Sequence, residues 1–524
     1  MKKLPIGIQT FSDIRTSDMV YVDKTEYVWR LIENFKYVFL SRPRRFGKSL
    51  IITTLKSYFE GKREVFEGLY LAQRETEWRT YPIIKIDFSD VGYLKIGNLE
   101  SGLQTLLARI GAKQGVSLER EEAAAMLSKL INELSGGEQR VVILVDEYDK
   151  PLVNVLHQPE LFRSNRTTLA HLYGVLKSHD AQLRFVMLTG ISRFAKVGVF
   201  SGLNNLYDIS LDAQFAGIVG FSQQELEDNF TEYLEDLQQK FGAARTELLD
   251  ELRRMYNGYS WDGEQRYYNP FSLLNTFALR EIDNYWYKTA TPTLLYHTLV
   301  RENLAPTDLI DIRTDDLTGF VAEDGAVPTY PLLFQTGYLT IDRIQRYKFK
   351  RWFHLRYPNE EVERSFLILA TAAFQETTSK VVDQTRSDLI SALLDDDLDT
   401  FFRILRGYFS EVPGRLHVDR EAYYHSLMFA LFRMLGMNTQ LERETHRGRI
   451  DAVIDLPDRV YIFEFKHRPK GEAKPETLSR RAIEQIREKQ YAHAYLAYGK
   501  PIVLVGLGFV DRALHGRFEV FEDD

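Results

Sequence analysis

Residues 36–49 read Lys-Tyr-Val-Phe-Leu-Ser-Arg-Pro-Arg-Arg-Phe-Gly-Lys-Ser, an apolar run that breaks into a polar loop and passes straight into the helical spacing of Leu50–Glu60. Three further apolar runs, Ile83–Phe88, Val141–Val145 and Arg184–Leu188, alternate with helical patterns at Leu99–Ala112, Arg120–Leu134 and Phe162–Ser178. Continuous Val/Ile/Leu strands separated by amphipathic helices predict a parallel sheet covered on both faces. Ligands of such sheets bind where the strands end at their carboxyl side. The first and third runs end on the polar groups that such a site needs.

The rest of the chain is organised differently. From about 215 to 410 the text becomes long helical stretches, Ser222–Phe241 and Arg245–Met255 among them, broken by the turns Asn257-Gly258-Tyr259 and Tyr268-Asn269-Pro270-Phe271. The last stretch reads as helix, two strands, helix and strand. With 524 residues there is length for roughly three domains, expected at 1–214, 215–410 and 411–524. Cysteine is absent, which excludes disulfides, thiolate zinc and cysteine nucleophiles. The 11 histidines form no His-x-x-x-His pair, so any metal must sit mainly on oxygen. Lys and Arg total 67 against 74 Asp and Glu, so a polyanion site would have to be local. No run approaches the roughly 18 apolar residues that span a bilayer, and the start of the chain has no apolar leader core. A cytoplasmic protein without a membrane partner is expected.

A strand, a loop, Gly-Lys-Ser and a helix in that order form a phosphate cradle. Successive N–H groups and the helix N-terminus face the anion, Lys48 reaches the phosphates, and Ser49 holds Mg²⁺. Phe46, Gly47, Lys48 and Ser49 keep the donors nearest the β-phosphate, while the usual first glycine is Arg42, and Pro43 has no N–H to give. Arg44 and Arg45 add charge to the site or face solvent. The partner signal is Asp146-Glu147 after Val141–Val145: one carboxylate for the magnesium shell and a second to orient the attacking water. The two pairs are read as lying on adjacent strand ends. Each half alone has a plainer reading, a capped helix start and a solvated acidic loop. Their joint presence favours a nucleotide site.

Tyr21-Val22-Asp23-Lys24-Thr25, the loop Ser41–Ser49, Asp146–Pro151 and Leu188–Phe194 together resemble the bacterial AAA-ATPase-like family over roughly residues 5–210. In that family Arg-Pro-Arg-Arg-Phe-Gly-Lys-Ser/Thr is itself the form of the phosphate loop. The resemblance implies an ATP-binding P-loop ATPase with a helical lid, in which Thr189, Ser192 or Arg193 senses the γ-phosphate. The Asn257-Gly258-Tyr259 and Asn269-Pro270-Phe271 turns recur in the family.

A second constellation lies at residues 449–466. Two β-rich runs flank Pro457-Asp458; a turn centred there sets Leu456 against Arg459 and Asp451 directly across from Glu464. Opposed residues share a face, and Lys466, two beyond Glu464, shares it too. Both faces of the hairpin are otherwise apolar, so two carboxylates and a lysine converge in buried surroundings. Like charges that close repel unless a cation joins them, and a hard divalent ion on oxygen ligands resolves the conflict. The plainer reading is a surface hairpin whose Lys466 neutralises one acid.

Asp451, twelve residues, then Glu464-Phe465-Lys466 resembles the PD-(D/E)XK nuclease superfamily over about 415–515, with Ile450 in place of the Pro of the name. The resemblance implies a restriction-endonuclease-like α/β domain, with Glu421 as a further acidic ligand and Gln485 as a supporting polar group. A basic stretch, His467, Arg468, Lys470, Lys474, Arg480 and Arg481, follows the hairpin and suits a phosphate backbone as well as it suits solvent. The chain therefore reads as an α/β protein: a P-loop ATPase with a helical lid, coupled to a Mg²⁺- or Mn²⁺-dependent nuclease-like domain acting on nucleic acid. The rival is a nucleotide-dependent switch whose last domain binds a partner without cleaving it.

Overall fold

A computed structural model describes residues 1–91, 98–136, 139–156, 158–192, 203, 205–286, 312–317, 328–410, 421–437, 439–445, 448–469, 471–511 and 513–522, with the backbone alone at 374 and 421–426. These residues form two compact units, one up to residue 361 and the other from 362 onward.

The first unit is built on a five-stranded parallel sheet of β1 (Tyr37–Ser41), β2 (Ile83–Asp87), β3 (Val141–Asp146), β4 (Leu183–Gly190) and β5 (Tyr207–Asp208), in the order β2-β3-β4-β1-β5. β1 and β3 are buried at every position, as strands covered by helices on both faces must be. The two edges are blunt: β2 is only half-buried on alternate residues, and β5 has two residues. β4 pairs Leu40 with Thr189 on one side and Val145 with Leu188 on the other. The phosphate-loop strand and the Asp-Glu strand are therefore not neighbours. Sheet order is a tertiary choice that local pattern does not carry, and β4 lies between them.

Beyond this sheet come helices Gln223–Asn229, Thr231–Phe241, Arg245–Tyr256 and Pro270–Leu279 around a core that includes Phe230, Leu234, Leu252 and Phe277. The single helix expected over Ser222–Phe241 is two. Ser222 and Glu225 make a reciprocal capping box for the first, and buried Phe230 stands at the break. Asn269 accepts from the N–H groups of Phe271 and Ser272, and with Pro270 in the first turn it starts the last helix. Gly258 is left-handed (φ +109°), and a Cβ there would run into the Pro358 carbonyl, so the Asn-Gly-Tyr turn tolerates no side chain. The middle of the chain is not helical throughout. β6 (Ile312–Thr314), β7 (Thr340–Tyr347) and β8 (Lys350–Arg356) form an antiparallel sheet in the order β6-β8-β7.

The second unit carries helices Ser379–Leu394, Leu398–Ser410 and Glu421–Leu435. Its five-stranded mixed sheet consists of β9 (Thr439–Thr445), β10 (Gly448–Asp455), β11 (Val460–Arg468), β12 (Ile502–Val510) and β13 (Ala513–Val520). β11 and β12 run parallel, joined through helix Pro475–Glu488. The edge strands β9 and β13 are additions to the two-strand, helix, strand pattern. β9 has one apolar residue, Leu441, and β13 interrupts its apolar residues with His515-Gly516-Arg517 and Glu519, so neither has the continuous apolar run that marks β12. Among the described residues no helix is long and apolar enough to cross a membrane.

Candidate functional sites

The phosphate loop leaves β1 at Ser41 and enters helix Lys48–Phe59 through left-handed Gly47 (φ +99°). Arg45 is left-handed as well (φ +71°), and such turns line a concave surface with successive N–H groups. Arg42, standing where glycine is usual, is almost wholly buried. Its guanidinium donates to the carbonyls of Ser41 and Ser210 and lies 4.1 Å from the Trp261 ring centre. Phe46 is buried edge-on against Tyr259 and Trp261, which ties the loop to the Asn257-Gly258-Tyr259 turn. Arg45 is exposed with its guanidinium over the Phe271 ring, and Arg44 and Ser49 are half-buried. The Lys48 ammonium donates to the carbonyls of Arg42 and Pro43 at 2.9 and 2.8 Å, and burial pushes its pKa down to about 8.

Across β4 the acidic pair is held in a network. Asp146 is buried and accepts from the Thr189 hydroxyl at 2.6 Å, so the strand that separates the two halves of the site also links them. Glu147 is left-handed (φ +52°) and accepts from Ser89 Oγ at 2.7 Å and from Lys150 Nζ at 2.8 Å. Burial works to raise its pKa, but the Lys150 and Ser89 hydrogen bonds outweigh it and hold the carboxyl below its usual range. Asp149, not singled out from sequence, is buried and accepts from the N–H groups of Ile191 and Ser192 and from the Ser192 hydroxyl. The hydroxyls of Thr189 and Ser192 are thus engaged with Asp146 and Asp149. Arg193 lies outside the described residues. The sequence signal for Asp149 was its place beside Asp146-Glu147, and for Ser89 its place just past the end of β2.

In the second unit the hairpin closes as spaced: Ala452 pairs with Phe463, Val453 with Ile462, Asp455 with Val460, and Leu456 N–H donates to the Arg459 carbonyl. The pairing ends at Ala452 and Phe463, one step short of the expected Asp451–Glu464 pair, and there the Phe465 N–H donates instead to Asp451 Oδ2 at 2.7 Å. Glu464 is 2% exposed. Its Oε1 accepts from Lys466 Nζ at 2.9 Å and from Gln485 Nε2, while Oε2 is buried with no hydrogen-bond partner among the described residues. Burial first and the Asp451 charge second push its pKa upward, against the pull of Lys466. Tyr491, which sequence gave no reason to choose, donates to the Arg449 carbonyl, and burial together with the Glu464 charge raises its pKa.

Gln485 arrives because helix Pro475–Glu488 lies flat on β11 and β12. Glu464 pairs with Gly506 and Lys466 with Gly508, and a Cβ on either glycine would collide with the carbonyl of Ser479 or Pro475. Glu421 begins helix Glu421–Leu435, and its side chain lies outside the described residues. Among the described residues no group of three His, Asp or Glu side chains is placed to hold a metal. A buried carboxylate oxygen without a donor, beside a second carboxylate, nevertheless fits a hard cation, for which Asp451 and Glu464 are the available ligands. In the basic stretch, Arg468, Lys474, Arg480 and Arg481 are exposed, His467 is buried and Lys470 is outside the described residues.

Comparison with known proteins separates the same two parts. Residues 5–200 match the family model described as a predicted AAA-ATPase, and residues 419–515 match the PD-(D/E)XK nuclease superfamily. The solved Aeropyrum pernix ORC2 protein, in its ADPNP–ADP complexes, aligns with 67% of this chain and 92% of its own at 13% identity. Its TM-score of 0.29 is too low for the likeness to carry an argument. A protein of Azotobacter chroococcum mcd 1, described as an uncharacterized protein in the vnfD 5′ region, is 38% identical over 515 residues, spanning 97% of this chain and 96% of its own. With that relative matched end to end and both domain models in place, the chain belongs to the bacterial AAA-ATPase-like family and carries a C-terminal domain of the PD-(D/E)XK nuclease superfamily.

Proposed function

We propose that the protein is an ATP-binding P-loop ATPase coupled to a divalent-metal-dependent nuclease-like domain that cleaves nucleic acid, in the cytoplasm, where both substrates are available. At the first site Lys48 is the phosphate-facing cation, its donors now resting on two loop carbonyls, with Arg44, Arg45 and the N–H groups of Phe46 and Gly47 around it. Ser49 and Asp146 would hold the magnesium ion. Glu147, kept ionised by Lys150 and Ser89, orients the attacking water.

At the second site the reading rests on one observation: Glu464 is buried with one oxygen bonded to Lys466 and Gln485 and the other bonded to nothing among the described residues. A buried half-satisfied carboxylate next to a second carboxylate is costly for a purely structural hairpin. Asp451 and Glu464 would hold Mg²⁺ or Mn²⁺, with Glu421 as a further ligand by family resemblance. Such an ion, when bound, lowers the pKa of water and neutralises charge developing on a phosphate. Lys466 positions the water, and Gln485 fixes the Glu464 rotamer.

The test is a set of four substitutions. Lys48→Ala should abolish the ATP-induced rise in melting temperature, whereas Glu147→Gln should keep the rise and lose turnover. Linear DNA and, separately, RNA should be cut by the wild type in Mg²⁺ or Mn²⁺, and by neither Asp451→Ala nor Lys466→Ala. Cleavage surviving in Asp451→Ala would overturn the site. No cleavage of either polymer by the wild type, with or without ATP, would move the reading to a nucleotide-dependent binding protein.

A further inference from the structure

The three-stranded sheet of the first unit has a composition unlike the rest of the chain. Of the twenty residues at 312–314 and 340–356, seven are Lys or Arg and one, Asp342, is acidic, in a protein whose net charge is −7. Asp342 sits at the root of the hairpin, within 3.1 to 3.6 Å of Arg356, Arg343 and Arg266, so it is already outnumbered by its own partners. Further out, Arg346 and Arg351 are paired directly across the two strands. Opposed like charges destabilise a β pair, so a hairpin selected for stability alone would not be expected to keep them.

Aromatic rings accompany the charge. Tyr347 is 67% exposed and Phe349, in the turn, is fully exposed. The pairs Tyr347/Lys350, Gln345/Trp352 and Arg343/His354 put these side chains on one face of the sheet, and Arg313 of β6, paired with His354, joins them there with its guanidinium 4.4 Å over Trp352. That face is open, since Arg313, Arg343, Gln345, Tyr347 and Lys350 are all exposed. The opposite face is anchored by buried Phe353 and by Ile344, which lies against Gly263. The result is a ribbon with cations along one face and exposed rings at its tip.

We propose that this ribbon binds single-stranded nucleic acid, with Tyr347 and Phe349 stacking on unpaired bases and Arg313, Arg343 and Lys350, on the same face as Tyr347, engaging phosphates. Cations on one face leading to exposed rings at the tip match a strand that offers both phosphates and unstacked bases. A membrane-inserting tip would need contiguous apolar surface; here Lys348 separates the two rings and Lys350-Arg351 follows them. Bases stacked inside a duplex present no free face to either ring.

Binding can be measured without catalysis, in EDTA and with the Asp451→Ala protein, so a failure of cleavage and a failure of this site are distinguishable. The probes are a labelled oligothymidylate of about 20 nucleotides, the matching oligouridylate, a duplex of the same length, and vesicles of phosphatidylcholine with phosphatidylserine. Tyr347→Ala/Phe349→Ala should weaken single-strand binding by about tenfold or more without changing the salt slope. Arg343→Gln/Lys350→Gln should weaken it and flatten the slope of log K against log salt by about 1.4, the loss of two phosphate contacts. All four side chains are exposed, so melting temperatures should not move. A strand carrying 5-iodouracil should photo-crosslink to wild-type residues 346–351. Binding unaffected in both variants, a tighter hold on duplex than on strand, crosslinks confined elsewhere, or vesicle binding lost in the same variants would each overturn the proposal.

Discussion

Glu361 in the first unit and Glu464 in the second are buried to almost the same depth, 1% and 2% exposed, and burial raises the pKa of both. Their surroundings differ. Glu361 accepts from the N–H groups of Tyr285 and Trp286 on one oxygen and from the Ser272 hydroxyl on the other, so both oxygens are engaged by neutral donors. It ties the segment after helix Pro270–Leu279 to the end of the unit. Glu464 has a lysine and an amide on one oxygen, nothing among the described residues on the other, and the Asp451 charge close enough to raise its pKa. A satisfied buried acid is architecture. A half-satisfied one beside a like charge is the environment that the proposed cation site requires, and the depth of burial does not distinguish the two.

The largest effects should come from supplying that cation. Mn²⁺ at about a hundred times its dissociation constant should stabilise the wild type by about 2.7 kcal/mol, read as a rise in melting temperature. Glu464→Gln, which keeps the size of the side chain and removes the charge, should abolish the rise, and Gln485→Ala should weaken metal affinity by about 10- to 100-fold. Glu361→Gln should leave the metal response intact. If both glutamine variants lost it equally, the contrast between the two acids would collapse.

An effect of comparable size is expected from pH at Glu361. Its pKa rises from 4.5 to about 7 on folding, so between those values the folded protein holds a proton that the unfolded chain has released. Stability from this group is complete below pH 4.5, declines as pH rises, and is lost above about 7, by a total on the order of 3 kcal/mol. Glu361→Gln preserves acceptance from the two backbone N–H groups and has no proton to lose. Urea midpoints across pH 4.5–8 should therefore slope less in the variant than in the wild type, with the variant the more stable above pH 7. Parallel slopes would show that Glu361 does not titrate in this range.

How much of this was legible follows from which signals are local. The phosphate loop, β1, β3, β4 and the hairpin register are written in runs of adjacent residues, where apolar continuity and a two-residue turn leave little choice. The position of β4 between β1 and β3, and hence the Thr189 bond to Asp146, depends on packing between segments far apart in sequence. β7 and β8 escaped notice because Arg and Lys take the outward positions and few apolar residues remain to show the alternation. At the second site, spacing predicts Asp451 across from Glu464 with Lys466 beside it; the pairing stops one step short of the two acids, and Lys466 does reach Glu464. The link from Gln485 required knowing how closely a helix could approach the sheet, which the bare glycines of β12 decide.

Those glycines supply the mildest test, and its value lies in opposite signs within one unit. Gly506 pairs with Glu464 and lies under helix Pro475–Glu488, where an added Cβ would meet the Ser479 carbonyl, backbone that cannot swing aside. Gly506→Ala should cost about 1–3 kcal/mol as overpacking, and by lifting the helix it should draw Gln485 away from Glu464 and weaken Mn²⁺ binding as well. Gly407 is exposed inside helix Leu398–Ser410 with nothing near the position of a Cβ. Gly407→Ala should stabilise the protein by about 0.5–1 kcal/mol, through helix propensity and a less flexible unfolded chain, and leave the metal affinity alone. Denaturant midpoints with and without Mn²⁺ separate the two. If Gly506→Ala lost stability while its metal affinity stayed at the wild-type value, the close approach of the helix would serve the core alone, and Gln485 would have no part in holding Glu464 for the ion.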